Sequence, residues 1–362
     1  MKRSIKMIIT TLAAFAAISS AFAKDGKNGV KMEKLKLDKK WDKTFELSDT
    51  VSHKKVTFTN HFGITLAADM YTPKAAPKDG KFAAIAVSGP FGAVKEQASG
   101  LYAHEMAKRG YLTIAFDPSF TGESGGQPRY MNSPDINTED FQAAVDFLSN
   151  LTNVDPEKIG IIGICGWGGM ALNAAAIDTR IKATAVMTMY DMSRIAAGGY
   201  FDENDNEESR YQARLETNKA RTECFAKGEY PTTGGLPDKR PEGDTFFSQY
   251  WDYYKTERGY HPRSLNSNMG WALTANTSMM NTRILRYTNE IRNAVLIVHG
   301  EKAHSRYMGE TAYKDMINGS KYTANKELVI IPNATHCDLY DGGNGNFIPW
   351  EKLQGFFEKN LK

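Results

Sequence analysis

A cysteine flanked by glycines is the residue of this sequence whose surroundings best suit a nucleophile. Residues 163–169 read Gly-Ile-Cys-Gly-Trp-Gly-Gly and follow an apolar run at 159–164 that is typical of a buried strand. A nucleophile on a sharp turn between a strand and a helix needs glycines beside it, because the turn is strained and other backbones pass close to it. We therefore predict that Cys165 is a thiol nucleophile whose pKa is lowered by the helix that follows. The alternative is a structural cysteine, since free cysteines are among the most buried residues.

A histidine near the C-terminus supplies the base that such a thiol needs. His336 follows a predicted strand at 327–331 and a short Pro-Asn-Ala turn. We predict that its imidazole accepts the thiol proton. His304 also follows a predicted strand, at 294–299, and is the alternative base.

An acidic side chain often orients a catalytic histidine, and the sequence offers two. Asp191 follows a predicted strand at 181–190, and Glu301 follows the strand at 294–299. Either residue preserves the chain order nucleophile, acid, histidine. Each also has a structural alternative, Asp191 as a helix cap and Glu301 as a solvated loop charge. A cysteine nucleophile depends on the acid less than a serine does, because a thiol ionises closer to neutral pH.

Backbone N–H groups must stabilise the negative charge that develops on a carbonyl oxygen during acyl transfer. Residues 88–92 read Ser-Gly-Pro-Phe-Gly and follow a predicted strand at 82–88. Pro90 has no N–H, so we predict Phe91 as one oxyanion-hole donor and Gly166 as the other. The alternative for residues 88–92 is an ordinary glycine turn.

The elements that carry these residues alternate between strands and helices. An alternating pattern at 55–60 and 64–71 predicts an antiparallel hairpin at a sheet edge. A helix is predicted over 138–151, with Thr138 as its cap. Continuous apolar runs predict buried parallel strands at 82–88, 111–116, 159–164, 181–190, 294–299 and 327–331. Together these elements predict a doubly wound α/β sheet with helices on both faces.

The connection between the strands that end near 190 and begin near 294 is far longer than a compact α/β domain requires. We predict a core formed by 53–191 and 293–362 and interrupted by an inserted cap at 192–292. The cap is rich in aromatic residues, which form either its own core or the wall of an acyl-binding pocket. They are Tyr200, Phe246, Phe247, Tyr250, Trp251, Tyr253, Tyr254, Tyr260 and Trp271.

From about residue 53 to the C-terminus the chain resembles the α/β-hydrolase superfamily. Residues 154–160 are similar to the approach to the nucleophile in dienelactone hydrolase-like and prolyl-peptidase-like branches, and the dienelactone hydrolases also use a cysteine. The glycine at 168 is closer to the spacing of the X-Pro dipeptidyl-peptidase-like branch. The resemblance implies the α/β-hydrolase fold, with His336 as the catalytic histidine. The chain departs from the superfamily at Ala303, where an aspartate is expected.

The first 23 residues have the layout of a secretory signal peptide, with basic residues, an apolar run at 7–18 and Ala-Phe-Ala at 21–23. We predict cleavage after Ala23, a periplasmic or secreted protein with no membrane anchor after cleavage, and a polar extension over 24–52. The removed segment holds three of the 45 basic residues and none of the 42 acidic residues, so the remaining net charge is near zero. This balance disfavours nucleic acid as a partner and favours a small-molecule acyl substrate.

The three cysteines have no metal-binding or redox spacing, and we predict neither a metal nor an organic cofactor. Cys224 and Cys337 could form a disulfide in an oxidising compartment, which would leave Cys165 as the free thiol.

We predict from these residues an exported hydrolase that cleaves a carboxylic ester, a lactone or a thioester through an acyl-enzyme on Cys165. Two alternatives stay open. One is a peptidase of the dipeptidyl-peptidase type, in which acidic residues of the insertion could bind the free amine of the substrate; these are Glu203, Asp205, Glu207 and Glu208. The other is a catalytically silent binding protein on a hydrolase scaffold.

Overall fold

A computed structural model of the chain describes residues 32–78 and 80–361. An eight-stranded sheet forms its centre, in the spatial order β1-β2-β4-β3-β5-β6-β9-β10. The first two neighbouring pairs are antiparallel and the other five are parallel. Its strands are β1 (Val51–Thr59), β2 (Thr65–Pro73), β3 (Phe82–Ser88), β4 (Leu112–Phe116), β5 (Val154–Ile164), β6 (Ile181–Met187), β9 (Ala294–Gly300) and β10 (Lys326–Ile331).

Helices cover both faces of this sheet, and a short antiparallel pair of strands lies outside it. The pair consists of β7 (Thr232–Thr233) and β8 (Trp271–Ala272). The α-helices of the described residues are α1 (Ala98–Lys108), α2 (Pro134–Ser149), α3 (Gly166–Ile177), α4 (Met192–Gly198), α5 (Glu207–Lys227), α6 (Phe246–Tyr254), α7 (Thr277–Met280), α8 (Arg306–Ile317), α9 (Asp338–Asp341) and α10 (Trp350–Leu361).

Successive residues of the central strands face opposite apolar layers, as the pleat of a strand requires. In β3, Ile85 belongs to the layer that contains Tyr102 of α1 and the apolar face of α10. Its neighbour Ala84 belongs to the layer formed with Phe141 of α2 and with helix α3. All seven residues of β3 are buried. The continuous apolar runs therefore form strands covered on both faces, and the predicted doubly wound α/β architecture is confirmed.

The parallel order brings the carboxyl ends of six strands to one edge of the sheet. Phe91 follows β3, Cys165 follows β5 and Asp191 follows β6. Glu301 and His336 follow β9 and β10. The predicted site residues thus lie at the edge where α/β proteins bind ligands, in loops or, for Gly166, at the start of a helix.

Helix α2 begins earlier than the pattern predicts, and its cap is a different residue. The helix starts at Pro134, and the Ser133 side chain accepts the Ile136 N–H at 3.3 Å. Thr138, the predicted cap, lies inside the helix and donates to the Pro134 carbonyl at 2.6 Å. Proline at the first helical position has a fixed φ suited to a helix start, and this feature outweighs the threonine signal.

The segment between β6 and β9 carries α4 to α7 together with β7 and β8. Helix α6 begins with a capping box between Thr245 and Ser248. Helix α5 is largely exposed, with Cys224 as its buried residue. Contacts between this segment and the loops after the strands build much of the candidate site described below.

All three cysteines are free, so the disulfide that the sequence allowed between Cys224 and Cys337 is not formed. Cys224 lies on α5, whereas Cys337 lies in the loop after β10. Both thiols are buried.

The described part of the N-terminal extension lies on the domain and inserts some of its side chains between those of the domain. The Phe45 ring lies 5.4 Å from the His104 ring and 6.3 Å from the Tyr71 ring. Lys43 Nζ lies 3.2 Å from a carboxylate oxygen of Asp69, and both side chains are buried. The predicted signal peptide lies outside the described residues. In 32–78 and 80–361, no helix combines the length and apolar character needed to cross a membrane.

Candidate active site

Cys165 occupies a strained turn between β5 and α3. Its φ of 56° and ψ of −126° lie outside the conformations that non-glycine residues ordinarily adopt. Its N–H donates to the Met187 carbonyl at 3.0 Å, and its carbonyl accepts the Tyr190 N–H at 2.9 Å. Gly163 is required beside it, because a Cβ there would lie 2.3 Å from the Trp167 carbonyl oxygen. The predicted sharp turn is therefore present, and the backbone around it holds the strain.

Two backbone amides point at the Cys165 sulfur. The N–H groups of Phe91 and Gly166 both make hydrogen-bonding contacts that favour the thiolate. These are the two donors that the sequence predicts for an oxyanion hole. The structure thus brings Phe91, Cys165 and Gly166 together at the edge of the sheet.

The inserted segment fixes the loop that carries Phe91. Asn266 Nδ2 donates to the Phe91 carbonyl at 2.7 Å, and the Asn266 N–H donates to the Gly92 carbonyl at 3.2 Å. The Ser264 hydroxyl donates to the same Gly92 oxygen at 3.0 Å. The Phe91 ring stacks on Trp271, with their centroids 4.1 Å apart. The orientation of the Phe91 amide therefore depends on the insertion.

A buried lysine ties the same loop to the one that follows β4. Lys95 Nζ lies 2.7 Å from Glu96, 2.8 Å from Asp117 and 2.6 Å from Glu123. The Lys95 N–H also donates to Asp117 at 2.8 Å. Because a buried ammonium is stable only with counter-charges, this cluster holds residues 95–96 in one position.

A tyrosine lies between the predicted nucleophile and the predicted base. His336 Nε2 is 2.9 Å from the hydroxyl of Tyr340, so the phenol, and not the sulfur, is its partner. The same hydroxyl makes a hydrogen-bonding contact with the Cys165 sulfur that lowers the thiol pKa. Sequence reasoning missed Tyr340, although its position on α9, four residues after His336, is the local signal that could have indicated it.

Hydroxyl groups, and not a carboxylate, hold the other nitrogen of His336. Its Nδ1 is 2.7 Å from the Ser305 hydroxyl and 2.9 Å from the Thr188 hydroxyl. An oxygen of either residue can accept the Nδ1 proton and leave Nε2 free as a proton acceptor. Ser305 lies two residues beyond Ala303, where the superfamily pattern places an aspartate.

The structure does not bring either predicted acid to His336. An oxygen of Asp191 accepts the N–H groups of Ser193 and Arg194 at 2.9 and 3.1 Å and caps α4. Glu301 accepts the N–H of Asn333 at 2.8 Å on the outside of the loop. Both carboxylates therefore take the structural alternatives that their positions also suggested.

A second group of phenols surrounds His304. Its Nε2 hydrogen-bonds to the Tyr190 hydroxyl and lies 3.5 Å from the Tyr250 hydroxyl. The two hydroxyls are 2.9 Å apart, and Tyr250 also makes a hydrogen-bonding contact with the Cys165 sulfur. The His304 and His336 rings lie 4.8 Å apart. His304, the alternative base, thus belongs to the same cluster, and the Tyr250 phenol lies between its imidazole and the Cys165 sulfur.

Burial keeps this cluster uncharged at neutral pH. Desolvation, followed by the nearby imidazoles of His304 and His299, holds the pKa of His336 well below its ordinary value of 6.5. Desolvation also lowers the pKa of His304 to about 3. The Cys165 thiol has a raised pKa, because its burial outweighs the hydrogen bonds that favour the thiolate. The prediction of a lowered thiol pKa is therefore wrong.

A cavity of about 160 Å³ opens at the Cys165 sulfur. Met192 and Ile195 of α4 form one part of its wall, together with Leu236. Within the described part of the chain, no Asp, Glu, Lys or Arg side chain lines it. Its aromatic lining, drawn mostly from the insertion, includes Tyr190, Tyr200, Phe247, Tyr250, Tyr254 and Tyr340.

The family described as X-Pro dipeptidyl-peptidase (S15 family) matches residues 63–302. The chain belongs to this family. It is 51% identical over 334 residues to the uncharacterized protein PA2218 of Pseudomonas aeruginosa, covering 90% of this chain and 86% of that protein. The crystal structure of PA2218 has a TM-score of 0.86 and covers 91% of this chain and 100% of that chain. The uncharacterized protein YcjY of Escherichia coli is 33% identical over 312 residues, 85% of this chain and 99% of that protein.

Two further similarities concern named hydrolases. The thiohydrolase aneE of Aspergillus aculeatus is 33% identical over 131 residues, which is 36% of this chain and 40% of that protein. The solved α/β hydrolase GrgF of Penicillium sp. sh18 has a TM-score of 0.62 at 19% identity, covering 86% of this chain and 99% of that chain. The predicted α/β-hydrolase fold is thereby confirmed, and this S15 family member is a hydrolase.

The acidic residues that could serve an S15 peptidase lie away from the sulfur. Asp205 pairs with Arg210, and Glu207 and Glu208 lie in the first turn of α5. Glu203 is exposed to solvent. None of these four carboxylates lines the Cys165 cavity. Among residues 32–78 and 80–361, no group of three or more His, Cys, Asp or Glu side chains is arranged to hold a metal ion.

Proposed function

We propose that this protein hydrolyses carboxylic esters and thioesters through an acyl-enzyme on Cys165. One observation carries the proposal. The sulfur lies at a strained turn, faces the amides of Phe91 and Gly166, and is joined to His336 through the hydroxyl of Tyr340. This arrangement supplies a nucleophile, an oxyanion hole and a base within one buried cluster.

Acylation begins from a neutral thiol and a neutral imidazole. As the sulfur attacks the acyl carbon, the Cys165 proton passes to the Tyr340 oxygen and the Tyr340 proton passes to His336 Nε2. The carbonyl oxygen gains the negative charge, and the amides of Phe91 and Gly166 stabilise it. Collapse of the intermediate breaks the bond to the leaving group, and the alkoxide or thiolate that is expelled receives the proton from His336 through Tyr340.

Deacylation reverses the same proton path with water as the nucleophile. His336 accepts a proton from the water through Tyr340 while the water oxygen attacks the thioester carbon. When the intermediate collapses, the carbon–sulfur bond breaks and the sulfur of Cys165 regains a proton. The carboxylic acid then leaves the cavity.

Oxygen esters and thioesters are the substrates that suit this chemistry best. Their leaving groups need less protonation than an amine does, and a proton delivered through a phenol is sufficient. The thiohydrolase aneE adds support for the thioester class.

Intact-mass spectrometry tests the proposal directly. The protein is mixed with p-nitrophenyl acetate and with S-phenyl thioacetate, quenched in acid and weighed. An acetyl adduct is expected on the unaltered protein and absent in Cys165→Ala, with turnover lost in the variant. Release of nitrophenol without an adduct, and at an unchanged rate in Cys165→Ala, would contradict the proposal.

Family membership favours one second function, release of dipeptides from peptides with proline at the second position. The uncharged lining of the Cys165 cavity speaks against it, because a buried ammonium group needs a counter-charge. Hydrolysis of Gly-Pro-p-nitroanilide at a rate similar to that of the acetyl ester would establish the peptidase function.

We also propose that the protein is exported, with cleavage after Ala23. The support is the basic, apolar and small-residue layout of the first 23 residues. Edman sequencing of the protein recovered from the periplasm or the medium tests this, and Lys24 is the N-terminal residue expected. An intact Met1 on a cytoplasmic protein would refute it.

A further inference from the structure

The uncharged lining of the Cys165 cavity limits which acyl groups can enter. Its polar lining consists of phenol hydroxyls, the Asn266 side chain and backbone groups. Desolvating an ammonium or a carboxylate there costs several kcal/mol, and no opposite charge offsets this cost. The acyl group must therefore be uncharged.

The size of the cavity sets a second limit. Its volume is about 160 Å³. An apolar protein cavity of roughly 150 Å³ holds one benzene molecule, so the space beyond the sulfur accommodates about six carbon atoms.

Polar contacts on the side of helix α4 that faces away from the cavity hold this helix, and so one wall of the cavity, in place. Ile195 projects into it from α4, and the residue that fixes the start of this helix is Asp191. Arg194 forms a two-point ion pair with Asp202, beside the helix C-terminus. On its other side the helix borders a separate polar groove, which Asp191 and Arg194 both line. Helix α4 thus separates the cavity from this groove, and Ile195 is one of the side chains through which it lines the cavity.

We infer that Cys165 accepts uncharged acyl groups of up to about six carbon atoms, either a short aliphatic chain or a single aromatic ring, and that Ile195 sets this limit. The inference rests on the proposed function and adds the substrate class. It also gives Asp191, predicted as a catalytic acid, the different task of fixing the wall that selects the substrate.

A series of p-nitrophenyl esters from acetyl to decanoyl tests the inference. We expect kcat/KM to be largest between butanoyl and hexanoyl and to fall at least about tenfold by decanoyl, since a pocket discriminates by about that factor for a poorly fitting methylene. Ile195→Ala should move the maximum toward longer chains, and Ile195→Trp should move it toward acetyl. Leu215→Ala, an exposed leucine of α5, is the matched control and should leave the profile unchanged.

The outcomes separate the inference from the proposed function. Equal kcat/KM from acetyl to decanoyl with an adduct on Cys165, or faster acylation by a succinyl or free-amine aminoacyl ester, would overturn the inference and leave the function intact. An unchanged chain-length profile in both Ile195 variants would overturn the role of Ile195. Absence of any adduct across the series would overturn the proposed function itself.

Discussion

The hydroxyl of Tyr340 lies 2.9 Å from Nε2 of His336. Since this hydroxyl also hydrogen-bonds to the Cys165 sulfur, one phenol links the imidazole to the thiol. A proton can move between thiol and imidazole only if the phenol passes on its own proton. In the proposed mechanism this relationship makes Tyr340 a participant in the reaction, which leads to the first prediction.

Tyr340→Phe removes the hydroxyl and keeps the ring. Because the proton path is then broken, kcat should fall by about a hundredfold or more, the range for loss of a general acid–base group. Steady-state kinetics with the butanoyl ester measure this. Tyr253→Phe is the matched control, since its buried ring lies 5.0 Å from the Tyr340 ring and does not line the cavity. Equal activity of the two variants would show that the relay is not used.

Ser305→Ala removes the nearer hydroxyl from His336 Nδ1 and leaves Thr188. The imidazole then loses a partner that fixes its orientation and tautomer, so kcat should fall by about tenfold, the scale on which partners behind a catalytic ligand act. Glu301→Gln should leave kcat unchanged, because Glu301 bonds to the Asn333 amide instead. The opposite ranking of the two variants would restore Glu301 as the acid of the triad.

Asn266→Ala releases the Phe91 carbonyl from its 2.7 Å hydrogen bond. The Phe91 amide then loses its fixed direction, and kcat should fall by less than the roughly hundredfold or greater loss seen when an oxyanion donor is removed. The expected signature is a lower kcat for acetyl and hexanoyl esters alike, with little change in KM. A change confined to the longer ester would instead indicate that Asn266 acts only as cavity wall.

The lowered pKa of His336 predicts how the reaction responds to acid. An exposed catalytic histidine loses its basic form as the pH falls through about 6.5. His336 stays neutral to a much lower pH, so kcat/KM should remain flat through this region and decline only in more acidic solution. A profile of kcat/KM between pH 4 and 9 measures this. A midpoint of the acidic limb near 6.5 would mean that the imidazole is solvated in the free enzyme.

The stability of the fold should depend on two other buried imidazoles, those of His299 and His304. The pKa values of His299 and His304 are about 3 in the folded protein, against 6.5 for an unperturbed histidine. Protonation therefore favours the unfolded chain, and stability present above pH 6.5 is lost as the pH falls toward 3. Tm measured from pH 7 to 4 should decrease, and less steeply in His304→Asn.

Local signals were enough to predict the sheet and the turn that carries Cys165. Apolar runs such as 82–88 and 159–164 correspond to strands buried on both faces. Since the pleat points successive side chains to opposite faces and both faces are covered, every residue of such a strand is buried. The glycines around residue 165 follow from close backbone contacts that any such turn requires. Helix starts were less predictable, since proline and serine at 133–134 compete with the threonine at 138.

The chemistry around the sulfur could be predicted only in part. Four of the predicted residues follow strands within a few positions, and the parallel order of the sheet brings them together; they are Phe91, Cys165, Gly166 and His336. The hydroxyls that bond to His336 come from separate loops and from α9, and their sequence does not distinguish them from other serines, threonines and tyrosines. The raised thiol pKa is also a property of three-dimensional burial, which a helix N-terminus alone does not reveal.

The raised pKa of the Cys165 thiol affects how fast its sulfur is oxidised or alkylated. Peroxides and alkylating agents attack the thiolate, and the rate of sulfenic acid formation follows its abundance and exposure. Cys165 is 5% exposed, and its burial raises the pKa of the thiol. A nucleophile of the proposed kind is therefore protected in surroundings that oxidise ordinary surface cysteines, because little of its sulfur is exposed and little of it is ionised.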